Sequence, residues 1–421
     1  MIETISLLPG VTLRCCRDTR FKQGCLSFQL VRQMDRQESA MNALLPAVLL
    51  RGTNRYPDLR AITEHLDELY GASVSALVRR VGDYQTTGLY CGFMDDRFAL
   101  AGDRVLEPVI DFMGQVLLDS PLEEGGFRKA FVESEKKNLI ATIESELNDK
   151  RTYAMSRLLK LMCAGDTFGL PRLGEKEQVA EIDSAGLYAH YRTILQTSPI
   201  EVFYVGSAEA RQVAALLLPL LQKLDRNPQA LPAQTGFAPW EGQDAVEELE
   251  VTQGKLCMGF TTPITNRDPR FPAMQITNTI LGAGMTSKLF MNVREKLSLC
   301  YFIGSGYYGT KGIVTVSAGI DFDKEDLTRQ EVLRQLEACK NGDITDEELK
   351  AAKEAILSSL RSTHDSPGAI EGYYATATLS GLAYDHSGYM AAVEAVTVED
   401  VVACAKQLRL HTTYFLKGVS Q

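Results

Sequence analysis

The sequence predicts an α+β fold made of two similar layered domains, and three observations carry that prediction. At 421 residues the chain exceeds what one hydrophobic core usually supports. With 45% apolar and 23% charged residues, its composition is globular rather than disordered. Finally, the same series of elements can be read twice, about half a chain apart, which favours internal duplication over chance.

The elements repeat in order. Residues 24–29 read as a strand, and residues 255–260 match them. Each is followed by a polar loop and an apolar helix, at 40–50 and 272–281, ending at Gly52 and Gly282. A second helix comes next in each half. Over 58–70, Leu59, Ile62, Leu66 and Leu69 fall on one face, with Asp58 as N-cap and Gly71 closing the helix. Over 287–297, Leu289, Val293 and Leu297 share a face. Alternating strands then occupy 84–93 and 313–320. Toward the ends of the halves, Asp183 and Thr397 each open a helix that leads to a strand, at 200–205 and 413–416. Thr397 with Asp400, and Thr345 with Glu348, have capping-box spacing.

Between the halves, Pro228, Pro232 and Pro239 interrupt a polar, glycine-containing stretch that reads as a linker. The expected organisation is a first domain over 1–224, a linker over 225–246 and a second domain over 247–421. Antiparallel-type strands mixed with helices indicate sheets with helices on one face.

A net charge of −10, with Lys and Arg scattered, argues against nucleic acid and anionic membrane as partners. The nine cysteines are odd in number, lack C-x-x-C spacing and sit partly inside apolar runs. Buried free thiols in a reducing compartment account for them. Residues 1–9 hold no basic region followed by an apolar one, and no apolar stretch reaches spanning length. A soluble cytoplasmic protein is expected.

Glu64, His65 and Glu68 have helical spacing, but Ile62, Leu66 and Leu69 take the core face and leave them outward as a solvated cluster. His190, His364, His386 and His411 have no carboxylate or thiol at metal-site spacing, apart from the adjacent Asp365. No phosphate loop, dinucleotide fingerprint or Gly-x-Ser-x-Gly occurs. Two places remain. Gly282, Gly284, Ser287, Leu289, Phe290, Arg294, Glu295, Lys296 and Tyr301 form one spaced series. Ala43-Leu44-Leu45-Pro46-Ala47, ahead of Gly52-Thr53, stands at the matching place in the first half. Read in isolation, Arg294 to Lys296 are a solvated helix face, Tyr301 is a strand aromatic, and Pro46 has a packing role.

With these residues in place, the chain resembles the pitrilysin and insulinase family of metallopeptidases, which includes the mitochondrial processing peptidase. The resemblance covers nearly the whole chain. It implies two α+β domains that face each other around a peptide-binding cavity. Active members carry His-x-x-Glu-His on the helix before the Gly-Thr. The histidines ligate zinc, the Glu polarises a bound water, and a later Glu completes the metal shell. Those positions fall here on Ala43, Pro46, Ala47 and, on the later helix, Thr142. No metal is therefore expected on this chain, and no catalytic residue on this chain alone.

In the second half the resemblance carries substrate contact over to Gly282, Gly284, Arg294 and Tyr301. In active members the Arg and Tyr lie across from the zinc and stabilise the tetrahedral intermediate. A noncatalytic subunit is thus implied, with zinc held only by a paralogous partner in a heterodimer, or else a homodimer, acting on peptides. A peptide-binding or scaffolding protein without activity is the alternative, and a zinc peptidase with displaced ligands a third.

Overall fold

The structure, a computed structural model, describes residues 2–146 and 148–419. It divides into two compact units. The first comprises Met1–Glu144, Leu170–Ala233 and Thr363–Thr376; the second comprises Ser145–Gly169, Gln234–Ser362 and Ala377–Gln421.

In the first unit, strands β1 (Ile2–Leu8), β2 (Val11–Arg17), β3 (Gln23–Gln33), β4 (Ser73–Val81) and β5 (Tyr84–Met94) precede a short hairpin of β6 (Leu122–Glu123) and β7 (Gly126–Phe127). Strand β8 (Ile200–Gly206) follows, and the main sheet has the order β1-β2-β8-β3-β5-β4. The second unit contains β9 (Asp244–Leu249), β10 (Gly254–Thr261), β11 (Cys300–Tyr308), β12 (Ile313–Ile320) and β13 (Arg409–Gly418), in the order β11-β12-β10-β13-β9. The sheets match strand for strand: β2, β8, β3, β5 and β4 correspond to β9, β13, β10, β12 and β11. In each, one pair is parallel, β2 with β8 and β9 with β13, and the other pairs are antiparallel. The duplicated α+β reading is borne out.

Side chains alternate across β3, and each face meets a different layer. Leu26, Phe28 and Leu30 enter the main core with helices Ser39–Leu49, Leu106–Leu118, Ser184–Thr197 and Ala210–Leu221. Cys25, Ser27 and Gln29 point the other way. Ile370 packs there against Cys25. Glu371 accepts hydrogen bonds from Ser27 Oγ and Gln29 Nε2, both at 2.7 Å, and from Arg79 Nη2 at 2.8 Å.

The second unit repeats the device with the opposite polarity. Ala154 and Leu158 of helix Lys150–Met162 pack against Cys257, Tyr414 and Leu416. Glu247 accepts from Tyr153 Oη at 2.6 Å, and from Arg157 Nε and Tyr414 Oη at 2.9 Å. Each sheet thus draws the cover of its second face from the other half of the sequence. The units interleave along the chain, where contiguous segments 1–224 and 247–421 were expected, and β9 begins inside the stretch 225–246 read as linker.

Three faces differ from expectation. Leu59 is exposed, at the very start of its helix, and Ile62 and Leu69 carry the burial. His65 does not project as part of a solvated cluster; it stacks on Tyr56 at 4.5 Å and packs near Phe112 at 5.5 Å, a polar ring with an apolar face. Leu297 is also exposed, for a reason that belongs to the site. Among the described residues, no helix is long and apolar enough to cross a membrane.

Candidate functional site

Helix Ser39–Leu49 carries the altered motif of the first half. Ala43, Leu44, Leu45 and Pro46 are buried, and Leu44 and Leu45 belong to the main core. Pro46 has no backbone N–H, so the carbonyl four residues earlier, on Asn42, loses its helical donor. Thr87 Oγ1 supplies one at 2.6 Å from the neighbouring strand. The Asn42 side chain is held as well: its Nδ2 donates to Gln85 Oε1 at 2.9 Å, and its Oδ1 lies 2.7 Å from His190 Nε2. Gln85 in turn donates to the Ser39 and Arg172 carbonyls, at 3.1 and 2.7 Å. Burial holds the His190 pKa below its ordinary 6.5, which favours a neutral ring.

This region is a satisfied amide network beside an apolar helix face. Methyl groups at 43 and 47 and a pyrrolidine at 46 offer no lone pair to a metal. Thr142, on helix Lys129–Ser145, is exposed and donates its hydroxyl to the Asn138 carbonyl at 2.9 Å. These residues do not fit zinc. Among the described residues, no group of three His, Cys, Asp or Glu side chains is placed to hold a metal ion.

The matching segment of the second half is built differently. Helix Phe271–Asn278 runs into a π-helical turn, Thr279–Ala283, and a second π-helical segment, Leu289–Lys296, follows the intervening loop. Such wide turns are rare and recur at functional sites. They also explain Leu297. Its N–H reaches back five residues to the Asn292 carbonyl, so α-helical spacing no longer holds. Leu289 and Val293 stay buried while Leu297 turns out to solvent.

The two loop glycines have different reasons. A Cβ on Gly282 would lie 2.7 Å from Leu289 Cδ1 and 2.8 Å from Ser305 Oγ, so packing demands glycine there. At Gly284 the backbone is extended and nothing lies within 4 Å, so neither backbone nor packing requires it.

Arg294 and Tyr301 both reach solvent. The Arg294 side chain is 40% exposed, stands over the Phe290 ring at 4.7 Å and lies 3.6 Å from Glu295. Tyr301, at the start of β11, is 62% exposed and donates to Asp321 Oδ1 at 3.2 Å. Hydrogen bonds, first from Lys324 and then from Tyr301, keep the Asp321 carboxyl below its usual range. No hydrogen bond or ion pair joins Arg294 to Tyr301 among the described residues. The Cys300 thiol beside them is pushed up to about 11 by burial, so it stays protonated and unreactive at neutral pH. The segment presents hydrogen-bond donors suited to carbonyl or carboxylate oxygen.

Residues 181–356 match the family model for the peptidase M16 inactive domain. The chain is also 29% identical to the "Probable inactive metalloprotease YmfF" of Bacillus subtilis (strain 168), over 97% of this chain and 96% of that one. Over nearly its whole length the chain thus resembles an inactive-type member of the peptidase M16 family. The crystal structure of a conserved protein from Enterococcus faecalis V583 matches with a TM-score of 0.93 at 26% identity, covering 100% of this chain and 99% of the other. A peptidase M16 inactive domain from Pseudomonas fluorescens shares the fold, with a TM-score of 0.79 at 18% identity, covering 100% and 98%. The family likeness draws attention to the motif positions of both halves. It did not point to Asn42, Thr87 or His190. One signal could have done so, since a proline inside a helix requires a substitute donor for the carbonyl it abandons.

Proposed function

We propose that this protein is a noncatalytic subunit of a two-chain peptidase. It lends Arg294 and Tyr301 to a peptide held at the zinc of a paralogous partner. The observation that carries this proposal is the contrast in accessibility. The donors of the second half stand in solvent, while the altered motif of the first half has become core. Zinc would reside in the partner alone, and the nine buried cysteines, outside any disulfide, suit a reducing cytoplasmic setting.

The test is to mix the purified protein with a zinc-bearing paralogue from the same host and follow hydrolysis of a fluorogenic unstructured peptide. The expected result is activity that neither chain shows alone, and that falls about a hundredfold when Arg294 becomes Ala. Rates unchanged by mixing would overturn the proposal. Mixed activity indifferent to Arg294→Ala would favour a scaffolding subunit instead.

A further inference from the structure

The segment that presents Arg294 is fixed from beneath by a buried ion pair. Lys288 lies at the junction between the glycine loop and the second π-helical segment, six residues before Arg294, and its side chain is almost wholly removed from water. Its Nζ sits 2.9 Å from Glu348 Oε1 and 3.1 Å from Oε2. Glu348 stands in the first turn of helix Asp346–Ser362, and its Oε2 also accepts the Thr345 N–H at 2.9 Å. A second tie follows one turn on, where Asn292 Nδ2 donates to Gln335 Oε1 at 2.8 Å, and Gln335 donates to Glu331 at 2.6 Å.

Among the described residues, nothing holds Arg294 comparably. It has one ring contact and one exposed, long ion pair, which is worth little in water. Its placement is inherited from the backbone, and the backbone is wound in a π register that local sequence does not favour. A buried lysine without its carboxylate would be an uncompensated charge, so this pair admits one register of the segment and penalises others.

We infer that Lys288, through Glu348, is a positioning residue for Arg294. It fixes the π-helical segment so that the guanidinium meets the peptide. This deepens the proposed function and rests on it.

The experiment measures binding of a fluorescein-labelled, unstructured Arg- and Leu-rich peptide to the intact protein by fluorescence anisotropy. Arg294→Ala is expected to weaken binding about tenfold, and Lys288→Met to weaken it comparably. Lys288→Arg should restore most of the affinity. The decisive variant is the double substitution, which should bind no more weakly than Arg294→Ala alone, because Lys288 acts only through Arg294. General loosening of the fold would instead weaken binding further in that background. If Lys288→Met does not fold, Glu348→Gln takes its place in the same cycle. Losses that add, or a Lys288 variant that binds normally while Arg294→Ala does not, would overturn the positioning role and leave the proposed function standing. Normal binding by Arg294→Ala would overturn both.

Discussion

Two helical segments, one in each half of this chain, are built in opposite ways. In the first half, positions 43 to 46 are buried, and the side chain and carbonyl of neighbouring Asn42 are matched by an amide, a hydroxyl and a neutral imidazole. In the second half, the chain retains a wide-turn helix, a glycine at 284 that neither packing nor backbone requires, and two exposed donors. A metal site that lost its ligands would leave a gap that packing must fill, and what filled it would become structural. A site made of exposed donors can persist without such consequences.

The largest expected effect probes the packed side of that comparison. Leu44 is fully buried against the sheet. Leu44→Ala should cost about 2–5 kcal/mol from lost transfer and residual cavity. Leu297, exposed at the end of the second π-helical segment, should change by less than about 0.5 kcal/mol as Leu297→Ala. Denaturant midpoints at constant slope would measure both. Similar losses would mean that the two segments are not divided as described.

Next in size is Thr87. Thr87→Val removes the only donor described for the Asn42 carbonyl, with little change in volume, and should cost about 1–3 kcal/mol. Pro46→Ala restores a backbone N–H that can take over that acceptor, so it should recover part of the loss in the Thr87→Val background. Additive effects in the cycle would show that the hydroxyl is not compensating for the proline.

His190 provides a pH test of the same network. Its folded pKa is depressed by burial, so the unfolded chain binds the proton more readily than the native one. The associated stability is present above the ordinary value of 6.5 and is lost as pH falls through it. Thermal melts of the wild type should therefore drop on acidification below about pH 6.5, with a shallower slope in His190→Gln. Equal slopes would remove His190 from the account.

Much of this architecture was legible in the residues, and what was not has physical reasons. Matching strands such as β3 and β10 were visible because alternation and turn residues are local signals. Their neighbours were not, since nothing in β2 or β9 alone specifies a parallel partner. Helix Lys150–Met162 shows an apolar face, but that face does not say which sheet receives it. At the candidate site, Arg294 and Tyr301 were marked out by the family resemblance, since an Arg and a Tyr seven apart carry little signal by themselves. The loss of Leu297 from the buried face could not be read, because the assumed period was that of an α-helix.

The smallest stability effect is also the one with the most functional content. Arg294 touches one ring and one exposed carboxylate, contacts that contribute little to folding. Arg294→Ala should therefore leave the denaturant midpoint within about 0.5 kcal/mol of wild type. If Arg294 were merely a structural remnant, that small cost would be its whole effect. If it serves a partner's active site, the same substitution should reduce mixed-subunit turnover about a hundredfold while the fold is unchanged. A substitution that strongly lowered stability would place Arg294 among the packing residues and remove the contrast between the two segments.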